Sequence, residues 1–318
     1  MPVPMVGRAA ALDELRRAWR HVQRGGRGTP AVITGAPGTG KSTLAAAALH
    51  AIGPSVTLAG SARVHSPAPY DWLAAVLAGR DLRDVPVPGD ALSWLAQRPD
   101  VPRERYPPDA LLRLAVTAVR ALVGGGPAVL VVDDLHALDP ASLNLIAELA
   151  AADLPALLLV TSQLPDAAVA PELTARTLAR LSGVPGAVRR HLGPLEAGHV
   201  AQILDHVYAD SRPSAELAEA VWRRTGGNPY RLTELLAVEG ANGPEALVPE
   251  ATAHNQLTAR EREVLGCLAE GMANKQIATA LGISVRTVTV HVSNLLRKTG
   301  AASRTEAALL AVKATAGS

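Results

Sequence analysis

The stretch Gly35-Ala36-Pro37-Gly38-Thr39-Gly40-Lys41-Ser42-Thr43 constrains this chain more than any other. It follows Ala31-Val32-Ile33-Thr34, a short apolar, β-branched run that reads as a buried strand. It precedes Leu44-Ala45-Ala46-Ala47-Ala48-Leu49, a run of strong helix formers. Glycines at 35, 38 and 40 let the backbone curl so that successive N–H groups face inward, and the helix that follows adds the positive end of its dipole. A backbone of that shape cradles phosphate oxygens. Lys41 can reach the β- and γ-phosphates of a nucleotide, and the Ser42 hydroxyl can ligate Mg²⁺. Strand, G-x-x-x-x-G-K-[ST] and helix in this order predict a P-loop. Gly35, Gly38, Thr39, Gly40, Lys41, Ser42 and Thr43 are then nucleotide-binding residues, with ATP or ADP and Mg²⁺ as cofactors. The bland alternative is a turn that only joins strand to helix.

The downstream sequence supplies a matching acidic end. Asp109 to Val123 has a helical apolar period that stops at Gly124-Gly125-Gly126-Pro127, and Ala128-Val129-Leu130-Val131-Val132 then runs into Asp133-Asp134. A continuous apolar run ending in acids is the pattern of a central parallel strand covered on both faces, and ligands bind at the carboxyl ends of such strands. Asp133 is therefore the candidate to complete the Mg²⁺ shell opposite Ser42. Asp134 is the catalytic candidate, able to orient or deprotonate an attacking water.

Further strands are expected at 55–59, 156–161 and 188–192, and helices over Leu12 to Trp19 and from Pro140. Strands alternating with helices predict an α/β, doubly wound parallel sheet. Residues 60–108, punctuated by Pro and Gly, read as short helices joined by loops. From Glu196 to Leu236 the pattern is helical and is broken at Thr225-Gly226-Gly227-Asn228-Pro229, which predicts a small helical subdomain.

The boundaries that follow are 1–193 for the α/β domain, 194–239 for the helical subdomain, 240–255 for a linker and 256–318 for a C-terminal helical domain. Charge separates along the same line. Residues 257–318 hold eight Lys and Arg against four Glu, a net +4, and residues 1–256 carry −2. A basic tail on an acidic body hints at a polyanionic partner. The single cysteine, Cys267, excludes an internal disulfide, fits a reducing cytoplasm and has apolar neighbours at the spacing of a helix core position. No apolar run approaches the roughly 20 residues of a membrane span, and no signal pattern opens the chain, so the expected location is cytoplasmic with no membrane partner.

Val6-Gly7-Arg8, the P-loop, the Asp133-Asp134 strand with Leu135-His136-Ala137-Leu138-Asp139-Pro140 behind it, and Gly226-Gly227-Asn228-Pro229 occur in an order that resembles the signal-transduction (STAND) ATPases of the AAA+-like group. The likeness is greatest to the ATPase module of large LuxR-type regulators. It implies that Gly7 and Arg8 lie near the adenine and that Pro229 contacts the nucleotide. Two departures stand out. Gln163 occupies the place where the family often has an Arg that senses the γ-phosphate, and Ala137-Leu138 stand where a Trp is common.

The C-terminal stretch from Leu257-Thr258-Ala259-Arg260-Glu261 to Ser303-Arg304-Thr305-Glu306-Ala307 resembles a complete LuxR-type helix-turn-helix domain. Local physics agrees. Thr258-x-x-Glu261 is a capping box, with Val264, Leu265 and Leu268 as the inner face of its helix. Asn274 is expected to cap a second helix ended by Gly282, Ser284 a third running to about Lys298, and Ser303 a fourth. On the third helix Val285, Val288, Val292, Leu295 and Leu296 are expected to face the core, with Arg286, Thr287, Thr289, Val290 and Ser293 outward. Arg286 and Thr287 lie in the first turn, where a recognition helix meets base edges. Lys275, Asn294, Arg297 and Lys298 are better placed for phosphates. His291 matches the family's usual His, as a phosphate contact or a structural residue. A Lys and a Thr are common in the family at the positions of Thr289 and Val290, which predicts an altered sequence preference.

The resemblances imply a DNA-binding regulator with double-stranded operator DNA as partner, homodimeric or higher, in which ATP·Mg²⁺ gates oligomerisation and DNA binding. Larger family members carry a long helical-repeat region where this chain has residues 240–255, so the signal is expected from the ATPase module itself or from a protein partner. Two alternatives stay open: an AAA+-like ATPase whose turnover is its main activity, with the C-terminal domain as a tether, and a DNA binder on a vestigial ATPase fold. At most a slow ATPase is expected.

Overall fold

The computed structural model describes residues 4–25, 27–62, 68–98, 106–209, 211, 213–248, 258–299, 301 and 303–308. By internal contacts the chain divides into two units, Met1–Val238 and Glu239–Ser318.

The first unit is built on a five-stranded sheet of β1 (Thr29–Gly35), β2 (Val56–Ser61), β3 (Ala128–Asp133), β4 (Ala156–Ser162) and β5 (Val188–Leu192). All four strand pairs are parallel and the order is β2-β3-β4-β1-β5. Every residue of β4 is buried, as the continuous apolar run requires of a strand covered on both faces. Side chains alternate between the two faces. Ala31, Ile33, Val129, Val131, Leu157 and Leu159 pack with Leu15, Trp19, Leu44 and Ala48 of α1 (Ala9–Gln23) and α2 (Lys41–Ile52). Val32, Leu58, Leu130, Val132, Leu158 and Val160 face the other way, toward α3 (Asp71–Leu77), α4 (Gly89–Leu95), α5 (Pro108–Val123), α6 (Pro140–Ala151) and α7 (Pro171–Gly183). The expected doubly wound parallel sheet is the observed one.

Two elements differ from the sequence reading. Helix α7 has no sequence-based counterpart, because its buried side is Thr174, Thr177 and Leu181, so threonines carry most of the helical period. Strand β2 starts and ends later than 55–59, and Gly60 lies so close to Trp72 that a Cβ there would meet the Trp72 carbonyl at 2.5 Å. The Trp72 indole, fully buried, donates to the Val131 carbonyl at 2.8 Å.

Beyond β5 come α8 (Ala197–Val207), α9 (Ala215–Thr225) and α10 (Pro229–Glu239). The turn before α10 is tied back to the start of this helical part, with Leu195 N–H donating to the Gly227 carbonyl at 2.7 Å and the Trp222 indole to the Leu195 carbonyl at 2.8 Å.

In the second unit, 3₁₀ turns occupy Gly240–Asn242 and Pro244–Leu247, within the expected linker, of which residues 249–255 lie outside the described residues, as does Leu257. Helices α11 (Ala259–Ala269), α12 (Asn274–Leu281) and α13 (Val285–Thr299) follow, and residues 304–308 are helical. The core joins Val264, Leu265, Leu268, Ile277, Val288 and Leu295, with Cys267 packed against it. The capping box at Thr258 and Glu261 forms in both directions, at 3.2 and 2.8 Å. Ser284 Oγ accepts from Thr287 N–H at 3.0 Å and Ser303 Oγ from Glu306 N–H at 3.2 Å, both as expected.

Two expectations are corrected here. Asn274 is the first residue inside α12 rather than its cap. The cap position is Ala273, whose N–H donates to Gln276 Oε1 at 2.7 Å, and the Asn274 amide instead accepts from Arg304 at 3.2 Å. Val285, expected to face the core, is 47% exposed at the first position of α13, and Val288 is the first residue of that helix in the core. No helix among the described residues is long and apolar enough to cross a membrane.

Candidate functional site

The carboxyl ends of β1, β3 and β4 open onto a cavity of about 510 Å³, within the usual range for small-molecule sites. Its floor is the P-loop from Pro37 to Thr43. Asp134 and Gln163 also line it, Pro4, Met5, Val6, Leu195, Ile203, Pro229, Tyr230 and Leu232 supply a largely apolar lining, and Arg8 and Thr233 are polar members of the wall. Gly38 and Gly40 have φ of +76° and +88°, the left-handed values the curled loop needs, and α2 begins directly at Lys41. The amide groups of the first turn of α2 therefore face the cavity with the positive end of the helix dipole.

Lys41 is 6% exposed, and its ammonium donates to the Ala36 carbonyl at 3.0 Å. Burial pushes its pKa below the ordinary lysine value, and the charges of Asp134 and Asp133 work against that shift. Ser42 Oγ donates to Asp133 Oδ1 at 2.9 Å across 91 positions of sequence. A hydroxyl and a carboxylate in contact are two hard oxygen donors, a set that suits Mg²⁺. Asp133 is held from behind by Thr161 Oγ1 at 2.6 Å. Asp134 has φ of +53°, in the left-handed region, and its carboxylate half-faces solvent, 3.8 Å from His136 Nδ1.

Arg8 lines the cavity, and its guanidinium donates to the Gly193 carbonyl at 2.7 Å and the Thr39 carbonyl at 3.4 Å, with burial lowering its pKa. Gly7 is not among the lining residues. It has φ of +72° and sits against the His199 ring, which a Cβ would meet at 2.8 Å. Gly35 likewise lies behind the loop, where a Cβ would meet the Leu192 carbonyl at 2.6 Å. Pro229 lines the cavity as the first residue of α10.

Sequence reasoning assigned no role to Thr161, His136, Asn228 or Tyr230. His136 is buried, and its Nδ1 accepts the Gln163 N–H at 3.3 Å. Burial pushes its pKa below the ordinary histidine value, with Asp134 pulling it back and Lys41 adding to the fall. The available signal was position alone: Thr161 is the last residue but one of a buried strand, beside the strand that ends at Asp133.

In the second unit, Lys275, Arg286, Thr287, Thr289 and Val290 are exposed, Val290 at 54%, and His291 and Asn294 are half-buried. Thr289 Oγ1 donates to the Val285 carbonyl within its own helix at 3.0 Å. The expectations for the side chains of Arg297 and Lys298 lie outside the described residues. Helices α12 and α13, joined by the turn at Gly282 (φ +64°), form the helix-turn-helix outline.

Residues 4–160 match the family model of the AAA ATPase domain, and residues 255–311 match that of bacterial regulatory proteins of the luxR family. Among curated proteins, 65 residues are 57% identical to YhcZ of Bacillus subtilis, an uncharacterized transcriptional regulatory protein, covering 20% of this chain and 30% of that one. Over 117 residues the chain is 33% identical to the transcriptional regulatory protein LiaR of Bacillus subtilis, covering 37% and 53%. Over 54 residues it is 56% identical to the nitrate/nitrite response regulator protein NarP of Escherichia coli, covering 17% and 25%. The chain thus spans between a quarter and about half the length of these relatives. Among solved structures, Cdc6p from Pyrobaculum aerophilum superposes with a TM-score of 0.52 at 15% identity, covering 94% of this chain and 87% of that one. The Aeropyrum pernix Orc1 protein, solved in complex with DNA, gives 0.51 at 18% identity, covering 93% and 85%. At these identities the likeness speaks for the fold alone. The chain joins an AAA ATPase domain to a helix-turn-helix domain of the luxR family of bacterial regulatory proteins.

Proposed function

We propose that the protein is a nucleotide-responsive transcriptional regulator that binds ATP·Mg²⁺ in the cavity of its first unit and operator DNA through α13 of its second. The observation that carries the reading is the Ser42–Asp133 contact, which brings the P-loop hydroxyl and the acid of a separate strand together beside the cavity. Backbone amides of the P-loop and Lys41 would hold the phosphates, Ser42 and Asp133 the metal, and Pro229 and the apolar lining of the cavity the base and sugar. Mg²⁺, when bound, neutralises charge on the β- and γ-phosphates. Arg286 and Thr287 would meet base edges, with Lys275, Asn294, Arg297 and Lys298 on phosphates, His291 at the backbone, and Thr289 and Val290 tuning the preference.

Nucleotide acts in this reading as a conformational ligand: its different contacts in the ATP and ADP states shift the equilibrium toward an oligomer with paired DNA-binding domains. Gln163, a neutral side chain lining the cavity, favours this over turnover as the main activity, with Asp134 supporting slow hydrolysis at most. With DNA as its partner, the protein works in the cytoplasm. The test is selection of genomic DNA fragments by wild type and Lys41→Ala, with ATP·Mg²⁺ and with ADP at fixed salt. Enrichment of one motif by wild type with ATP alone, absent in Lys41→Ala, is the expected result. Equal enrichment under all four conditions would reduce the ATPase domain to a scaffold.

A further inference from the structure

The P-loop is gripped from outside as well as shaped from within. Asn228 precedes α10, and its Oδ1 accepts from the N–H groups of Tyr230 at 3.0 Å and Arg231 at 3.3 Å, which is the geometry of a helix N-cap. The other end of the same amide, Nδ2, donates to the Pro37 carbonyl at 3.0 Å, across 191 positions of sequence. The Tyr230 N–H also reaches the Gly38 carbonyl at 3.1 Å. Approach is so close that a Cβ on Gly38 would meet Asn228 Oδ1 at 2.6 Å and Tyr230 Cβ at 2.8 Å.

A phosphate loop turns its N–H groups toward the ligand, which leaves carbonyls pointing away and in need of donors. Here two consecutive carbonyls take theirs from the start of α10, that of Pro37 from the Asn228 cap side chain and that of Gly38 from the Tyr230 N–H in the first turn. A loop held this way is already curled before any phosphate arrives, so less ordering is required on binding. The same two bonds mean that a change in the curl of the loop must displace the start of α10, or break the bonds. Asn228 is the joint, because one side chain both starts the helix and grips the loop.

We infer that Asn228 is a positioning residue for nucleotide binding, which holds the P-loop in its phosphate-ready curl and transmits its occupancy to α10. This rests on the nucleotide reading of the cavity. Asn228 touches the loop and is not among the residues lining the cavity, so its effect is expected to extend equally to ADP and ATP.

Asn228→Ser separates the two jobs. Serine caps a helix about as well as asparagine but is too short to reach the Pro37 carbonyl. The measurements are titration with fluorescently labelled ADP in Mg²⁺, thermal melting without nucleotide, and hydrogen exchange of peptides covering the first turn of α10 with and without ADP. Asn228→Ser is expected to melt like wild type, to bind ADP about tenfold more weakly, and to lose the slowing of α10 exchange that ADP produces in wild type. Asn228→Ala is expected to lose the same affinity and to melt lower as well, since it also lacks the cap. If Asn228→Ser binds ADP as wild type does, or if its loss tracks a fall in melting temperature equal to that of Asn228→Ala, the inference fails and the nucleotide reading stands. If wild type itself binds no ADP, both fall together.

Discussion

Thr161 Oγ1 donates to Asp133 Oδ1 at 2.6 Å while accepting the Asp134 N–H at 2.9 Å, so one fully buried hydroxyl holds both acids at the end of β3. Parallel pairing of β3 with β4 puts it there, with Val132 opposite Val160 and the acids one step further on. Thr161→Val keeps the shape and removes the hydroxyl, so the Asp134 N–H loses its acceptor and Asp133 Oδ1 keeps only the Ser42 hydroxyl of its two donors. The expected cost is about 1–3 kcal/mol, read by urea unfolding of the first unit's signal. Thr161→Ser, which keeps the hydroxyl, should recover most of it, and a variant pair of equal stability would contradict the assignment.

Ser42 and Asp133 predict how nucleotide affinity depends on Mg²⁺. Ser42→Ala is expected to bind ADP like wild type in a chelator but to lose the gain that Mg²⁺ gives wild type, because the loop amides and Lys41 are untouched. Isothermal titration with and without Mg²⁺ reads this directly. A variant that keeps the full Mg²⁺ gain would place the metal on other ligands.

His136 predicts a pH dependence. Its pKa in the fold is lowered, chiefly by burial, so the unfolded chain takes up a proton first as the pH falls. Stability from this residue is therefore fully present above the unfolded value of about 6.5 and is lost as the pH drops toward the folded one. His136→Asn, which cannot titrate, should differ most from wild type near pH 7.5, with the gap closing toward pH 5.5 in chemical unfolding. A gap that widens on acidification would mean that His136 is charged in the fold.

On the second unit, exposed Lys275 and Arg286 make different predictions. Lys275→Ala should weaken binding uniformly across sequences and reduce the slope of log affinity against log salt by about 1. Arg286→Ala should cost about 1–3 kcal/mol on the preferred site and relax its specificity. Competition binding on selected and scrambled duplexes at three salt concentrations distinguishes them. The opposite pattern would exchange their roles.

What the sequence determined by itself is local, or nearly so. The capping box of Thr258 and Glu261 closes within one turn, Ser284 and Ser303 cap the helices they precede, and the Gly38 and Gly40 curl lies between strand and helix in nine consecutive residues. The β3 and β4 runs announced a doubly covered sheet because full burial leaves no polar face to hide. Asn274 is not the cap at this same scale, since Ala273 takes the cap position once Gln276 reaches back to its N–H.

Tertiary structure alone decided who meets whom. Strand register brings Thr161 to Asp133, and packing over 91 and 191 positions brings Asp133 to Ser42 and Asn228 to Pro37. It also turned Gly7 toward His199 instead of the cavity and left Val285 outside the core. Spacing along a chain sets which side of a helix or strand a residue occupies. Which residue stands opposite is set by how the layers slide and rotate to fill space, and that is a property of the whole core.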